Sequence, residues 1–359
     1  MSNYVEFNNK IAFHPGYYIK EIVEDSGLTQ EDFAKRLGTT PKNLSILIRG
    51  EQSLWIDMAM RLSRMLGTSI NYWLNLQNTY NTLIAEFKSE EEYILERKVF
   101  EKLNYKYFIE HFALPDLPRK TREQIKQVRE FLNVATLTVL EKKEMSVCFR
   151  SATEDLSVSN IIKANTMVQI AINQTLKINK QVKFNKAKFE KAIHYALTLT
   201  KSHNDFYPLI KKAFLDAGVI FIILPNIVGS KINGATKKVG DQIMLMVNDR
   251  RLYSDTFWFT LFHEIGHIMH GDYGISFEEE INQSEILANK YAADLLIDPD
   301  QYAKFIKNND FSKEAIINFA EHIDRDPGIV LGRLQKEQLV DFKNRNLQSL
   351  KHQYKVELN

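Results

Sequence analysis

Over the first seventy-odd positions, apolar residues recur at helical spacing between sharp stops. Thr29 precedes QEDFAKRL with an acid three residues on, Asp32, in the pattern of a capping box, and Gly38 closes the segment. Thr40 then precedes Pro41, a cap followed by proline at the first helical position, and opens PKNLSILI. A further helix is predicted from Ser53 to Leu66 before Gly67, and another is capped by Ser69 and carries Tyr72, Trp73 and Leu76. The stretch as a whole predicts five short helices, with Phe33, Ala34, Leu37, Leu44 and Leu47 holding a pair together and Leu62 and Leu66 closing the core.

From about Tyr80 to Ala217 the pattern stays helical, with amphipathic stretches at 122–133, 158–172, 186–200 and 205–217. Pro115 and Pro118 suggest a hinge, and 177–185 a basic connector. Beyond Ala217 the texture changes. Residues 219–224 (VIFIIL) read as a buried strand, and 233–237 and 243–247 flank a turn at Gly240-Asp241. Helices return at 256–270, 284–297, 312–323 and 327–339. The expected fold is therefore mainly α with a small antiparallel sheet: an N-terminal helix-turn-helix bundle, a helical middle and a C-terminal α+β domain.

Length and composition narrow the setting. A chain of 359 residues calls for two or three domains. One cysteine, Cys148, excludes an internal disulfide framework and a cysteine-based zinc knuckle, and fits a reducing compartment. The first ten residues lack the basic start and apolar run of a signal peptide, and VIFIIL is far too short to span a bilayer. A cytoplasmic protein without a membrane partner is expected. The formal charge of +2 hides a segregation: residues 97–212 hold 22 Lys+Arg against 11 Asp+Glu, whereas 213–359 hold 16 against 21. A basic middle fits a polyanion partner or an acidic face elsewhere in the chain, and solvated helix surfaces fit it equally well.

The sharpest chemical signal is His263-Glu264-Ile265-Gly266-His267 within an apolar helix, with Asp255 as its expected cap and Gly271 as its stop. Four residues make slightly more than one helical turn, so both imidazoles leave the same face and can share one Zn²⁺. Glu264 between them can act as a catalytic carboxylate, taking a proton from zinc-activated water and passing it to a leaving amine. A third ligand is needed. Glu285, on the next predicted helix, is a candidate, with Ala288, Ala292 and Leu295 forming the face that packs on the first helix. Asn289 is placed to hydrogen-bond a histidine ligand from behind. His270 and the acidic run Glu278, Glu279 and Glu280 are the alternatives, the first too far along one straight helix and the second the kind of run that is usually solvated.

The segments 29–37 and 41–48 have the lengths and turn of a helix-turn-helix. The second exposes Thr40, Lys42, Asn43 and Ser45 at its start, side chains suited to base edges and phosphates of double-stranded DNA. Gln30, at the positive end of the preceding helix, can hold a phosphate, and Arg49 and Lys35 are backbone-contact candidates. Residues 1–75 carry eight charges of each sign, so electrostatic attraction is weak unless a homodimer doubles the contacts.

The stretches HPGYYIKEIVEDSGLTQEDFAKRLGTTPKNLSILIRG and MAMRLSRMLGTSINYWLNLQNTY resemble the Xre-type helix-turn-helix of HigA-like antitoxins and regulators. NGATKKVGDQIMLMVNDRRLYSDTFWFTLFHEIGHIMHGD, with ILANKYAADLLIDP and DPGIVLGRLQKEQLV, resembles the ImmA/IrrE zinc metallopeptidases. The resemblance implies a gluzincin-like site with His263, His267 and Glu285 on zinc and Glu264 catalytic. It divides the chain into an Xre-type domain (1–80), a helical linker or interaction region (81–184), the metallopeptidase domain (185–345) and a tail (346–359). It also implies an operator, its own promoter among the candidates, and a protein partner: a repressor cleaved by the peptidase, this chain itself among the candidates, or a toxin neutralised by binding with the zinc domain a non-catalytic recognition module. The chain departs from the resemblance at His270, one residue earlier than in many relatives, at Ile297-Asp298-Pro299 where methionine-proline is usual, and at Leu287 where a glutamate is common.

Overall fold

The computed structural model describes residues 3–142, 157–178, 182–250, 253–277 and 282–354. Cys148 and the acidic run Glu278, Glu279 and Glu280 lie outside them. The chain divides into two compact units, Met1–Leu95 and Glu96–Asn359.

The first unit begins with a hairpin of β1 (Tyr4–Phe7) and β2 (Lys10–Phe13), paired antiparallel. Periodicity gave no warning of it, because seven of its eight strand residues are exposed or half-buried. The signal was the turn: Asn8 and Asn9 both take positive φ, 48° and 62°, which asparagine tolerates and a two-residue hairpin needs. Then follow α1 (Pro15–Asp25), α2 (Gln30–Leu37), α3 (Pro41–Ile48), α4 (Ile56–Leu66) and α5 (Ile70–Phe100). Thr29 and Thr40 cap α2 and α3 as expected, each hydroxyl accepting a backbone N–H at 3.1 Å, from Asp32 and Asn43. Phe33, Ala34, Leu37, Leu44, Leu47 and Leu62 are buried in one cluster with Ile19, Met58 and Trp73. Replacing Thr40 with alanine removes one cap bond and is expected to cost about 1 kcal/mol, read as a lower melting midpoint of the full chain's first transition.

Two expectations need correcting here. Ser53 does not start α4: the helix begins at Ile56, and its cap residue Trp55 makes no side-chain cap bond. The preceding backbone is held from a distance instead, by Gln77 Oε1 accepting from Leu54 N at 2.7 Å. The helix after Ser69 does not stop near Leu76 but continues to Phe100, since no glycine or proline interrupts it.

The second unit opens with α6 (Tyr105–Phe112), α7 (Thr121–Leu132), a 3₁₀ turn at Leu137–Glu141, and α8 (Val158–Leu176). Next come α9 (Lys186–Thr198), α10 (Phe206–Asp216), β3 (Val219–Leu224), β4 (Ile232–Val239) and β5 (Gln242–Asn248). α11 (Ser254–His270), β6 (Ile275–Phe277) and α12 (Gln283–Leu296) carry the chain to a helical end: α13 (Pro299–Lys307), α14 (Lys313–His322), α15 (Pro327–Lys336) and α16 (Arg345–Gln348).

The sheet order is β3-β5-β4-β6. β4 pairs antiparallel with β5, as expected, and with β6, a strand the sequence pattern did not suggest, whereas β3 runs parallel to β5, so this sheet is mixed. The cause is a skipped place: β4 reverses β3 without pairing to it, and the Gly240-Asp241 hairpin brings β5 back between them. Val219, Phe221 and Ile223 join Ile243, Leu245 and Val247 in the core shared with α9, α10 and α11. The alternate residues Ile220, Ile222, Met244 and Met246 are buried too, with α8 against β3, β4 and β5. A strand buried on both faces must be apolar throughout, which is why VIFIIL shows no alternation. Among the described residues no helix is long and apolar enough to cross a membrane.

Candidate functional site

Trp258, Leu261, Phe262 and Ile265 anchor α11 in the core, each fully buried. Its cap residue is Tyr253, not the expected Asp255. Asp255 lies inside the first turn, where its Oδ2 takes the Lys351 ammonium at 2.7 Å in a buried ion pair. The helix already starts at Ser254, before Asp255, and the docked C-terminal segment meets that start: Ser254 N donates to His352 O at 2.8 Å.

α12 brings the third donor. Its cap, Asn282, accepts from Glu285 N at 2.9 Å, fixing Glu285 in the first turn. Ala292, fully buried, and the partly buried Leu295 pack on the core that holds α11, and Ala288, also fully buried, lies against Gly266 of that helix, where an added Cβ would stand 3.2 Å from its Cα. Glu285 Oε2 then lies 2.9 Å from His263 Nε2, and Oε1 lies 3.2 Å from His267 Nε2. The two Nε2 atoms are 3.1 Å apart. All three side chains are buried. Burial by itself would raise the Glu285 carboxyl, but the hydrogen bonds and charges of His263 and His267 outweigh it and hold it at about 2. Donors bound to a tetrahedral ion at about 2.0–2.1 Å sit roughly 3.3 Å from one another, so these separations and this donor set suit zinc.

The far side of each imidazole is held as well. His263 Nδ1 lies 3.0 Å from Asn289 Oδ1, the contact the sequence suggests. His267 Nδ1 lies 3.1 Å from Asp272 Oδ2 and 3.3 Å from Ser284 Oγ, and Ser284 also donates to Asp272. Sequence reading missed Asp272 and Ser284. The available signal was the Gly271 stop, after which the chain turns back towards His267, Asp272 N donating to His267 O at 2.9 Å. His270, the alternative ligand, is exposed, stands edge-on to Tyr291 and stays outside the group.

Glu264 is fully buried and is not one of the three converging donors. Its side chain lies against β4 at Gly234, where an added Cβ would come within 2.6 Å of Glu264 Cγ. Only glycine leaves that space. The arrangement is a three-donor cradle, with the carboxylate side chain of the residue that follows His263 packed against a strand at Gly234.

In the first unit, Gln30, Thr40, Lys42 and Asn43 are exposed at the starts of α2 and α3. Ser45 is half-buried and accepts from Arg49 Nη1. Arg49 also forks onto Glu51, at 2.8 and 3.0 Å, and Lys35 pairs with Glu31 at 2.9 Å. Exposed pairs of this kind contribute about 0–1 kcal/mol, so handing either cation to a phosphate costs little.

With this geometry in view, the comparisons divide the chain the same way. Residues 19–73 match a helix-turn-helix family, and residues 229–322 match the IrrE N-terminal-like domain of a peptidase family. An HTH-type transcriptional regulator of Escherichia coli (strain K12), YddM, is 35% identical over 79 residues, 21% of this chain and 84% of its own length. Virulence-associated protein I of Dichelobacter nodosus is 32% identical over 80 residues, 22% of this chain and 74% of its own. Among solved structures, an addiction module antidote protein of the HigA family from Coxiella burnetii is 30% identical, covering 22% of this chain and 88% of that one, with a TM-score of 0.21.

Proposed function

Because the chain belongs to the helix-turn-helix family and carries an IrrE N-terminal-like domain further along, we propose that it is an antitoxin-like DNA-binding regulator with a zinc peptidase. The observation that carries the enzymatic half is the convergence of His263 Nε2, His267 Nε2 and Glu285 within 3.2 Å, from two helices packed face to face. In this reading residues 1–80 bind an operator as a homodimer, 185–345 form the peptidase domain, and 81–184 serve interaction. The substrate is a regulatory protein, this chain's own DNA-binding part among the candidates.

His263, His267 and Glu285 would hold the zinc, with Asn289 and Asp272 fixing the two rings from behind. Bound there, zinc supplies a Lewis acid that polarises a scissile carbonyl and activates water. Glu264 supplies the proton transfer: a carboxylate held beside the donors accepts a proton and returns it to the departing amine. Glu285, its carboxyl held low by the two histidines, supplies the carboxylate donor of the set. On the DNA side, Lys42, Asn43 and Thr40 at the start of α3 face the groove, while Gln30, Lys35 and Arg49 take phosphates.

The test is a reporter under the chain's own promoter, in cells carrying wild type or Glu264→Gln. The proposal expects both to repress and only the wild type to release under inducing conditions, with a shortened chain or partner appearing on blots. Equal release by both would remove proteolysis from the switch. Capture of a small toxin encoded nearby, with neutralisation intact in His263→Ala and Glu264→Ala, would make the zinc domain a recognition module instead.

A further inference from the structure

A second group of donors lies away from the HExxH site. His203, between α9 and α10, Asp326, capping α15, and His352, in the C-terminal segment, bring one ligand atom each within 4.8 Å of the others. Asp326 is 1% exposed. One carboxylate oxygen is spoken for: Oδ1 accepts from Gly328 N at 2.9 Å and from Ser254 Oγ at 3.3 Å. The other, Oδ2, is buried and accepts no hydrogen bond among the described residues, yet it lies 3.3 Å from His203 Nε2 and 3.9 Å from His352 Nε2. The two imidazoles stack with centroids 3.5 Å apart and planes 24° from parallel, so their rings enter the site side by side.

The surroundings are those of a ligand set rather than a plain charge pair. His203 Nδ1 lies 3.0 Å from the Tyr354 hydroxyl, which also accepts from Trp258 Nε1 at 3.3 Å. Holding the far nitrogen this way orients the ring and leaves Nε2 facing Asp326. The cation nearest in sequence, Lys351, is turned away onto Asp255. His352 is half-exposed, so water can complete a fourth position.

The geometry points to a second divalent transition-metal site at His203, Asp326 and His352, of the kind that takes zinc. Its donors come from three separate stretches of chain, and one of them is the segment whose backbone docks on the start of α11, through Ser254 N to His352 O and the bridge of Tyr253 with Gln353. Metal there would clip the C-terminal segment to the helix that carries His263, Glu264 and His267. The role is structural: a staple across the far end of the HExxH helix, independent of whether that helix catalyses.

The test is zinc content of the full chain after equilibrium dialysis against buffered free Zn²⁺, for wild type, His352→Ala, His203→Gln and His263→Ala. Expected is one equivalent less in His352→Ala and in His203→Gln than in wild type, with the deficit additive to that of His263→Ala. If the HExxH proposal is wrong and this one right, His263→Ala leaves the zinc content unchanged while His352→Ala still lowers it. Because a loss could follow from misfolding, zinc-induced thermal stabilisation is read as well: it should persist in His263→Ala and vanish in His263→Ala/His352→Ala. Wild-type zinc content in both His352→Ala and His203→Gln overturns the proposal, as does equal stabilisation of the single and double variants.

Discussion

Replacing Glu264 with glutamine is expected to lower peptide hydrolysis by the zinc-loaded chain roughly 10²- to 10⁴-fold, with zinc content unchanged. Glutamine keeps the length and shape of glutamate, so it fits the slot beside Gly234 where even one added carbon on the strand would press to 2.6 Å. Glu264 is not among the three donors, so the cradle of His263, His267 and Glu285 keeps its composition. What is lost is the ability to accept and return a proton. Measuring turnover and bound zinc on the same preparation separates this from a ligand's loss, since His267→Ala should abolish turnover and lower bound zinc by one equivalent. Turnover near wild type in Glu264→Gln would strip Glu264 of the role. The complementary change, Gly234→Ala, should also depress turnover while Glu264 itself is untouched, because the new methyl group must displace the carboxylate.

The second large effect lies in the other unit. Gly16→Ala is expected to destabilise the first unit by about 1–3 kcal/mol and to weaken operator binding at least tenfold. Gly16 sits at the start of α1, where an added Cβ would stand 2.0 Å from Leu47 O and 2.8 Å from Ile48 O. Both are backbone oxygens at the end of α3, which cannot swing aside as a side chain can. α1 must therefore withdraw from α3, and the bond from Gly16 N to His14 Nδ1, 3.0 Å, is strained with it. Because the start of α3 presents Thr40, Lys42 and Asn43, its displacement is felt as misplaced contacts as well as lost stability. Thermal melts and gel shifts at two salt concentrations test this, since the phosphate part of affinity varies with salt. A variant with wild-type melting and wild-type shifts would show that α1 and α3 can part without consequence.

Much of this molecule is written in local pattern. Caps at Thr29, Thr40 and Ser69, and helices and strands whose ends fall within a few residues of expectation over 122–133, 219–224, 243–247 and 284–297, follow from interactions a few residues apart. The same holds for His263 and His267, which one helical turn places on one face before any packing occurs. Asn289 was legible for the same reason, one turn from Glu285 on the same helix.

The misreadings share one cause. Ser53 and Asp255 look like caps because the local code prefers them there, but a distant Gln77 and a distant Lys351 set those helix starts instead. Asp272, Ser284 and the role of Gly234 are invisible along the chain, since each matters only for what it touches across a turn or a sheet. The amino-acid order alone determined the helix-turn-helix lengths and the paired histidines, because hydrogen bonds and side-chain rows inside one helix depend on near neighbours. Only the tertiary structure decided that β3 runs parallel to β5, that Glu264 packs against a strand at Gly234, and that His203, Asp326 and His352 meet. Those outcomes depend on which buried surfaces find each other, and burial is a property of the whole fold rather than of any one segment.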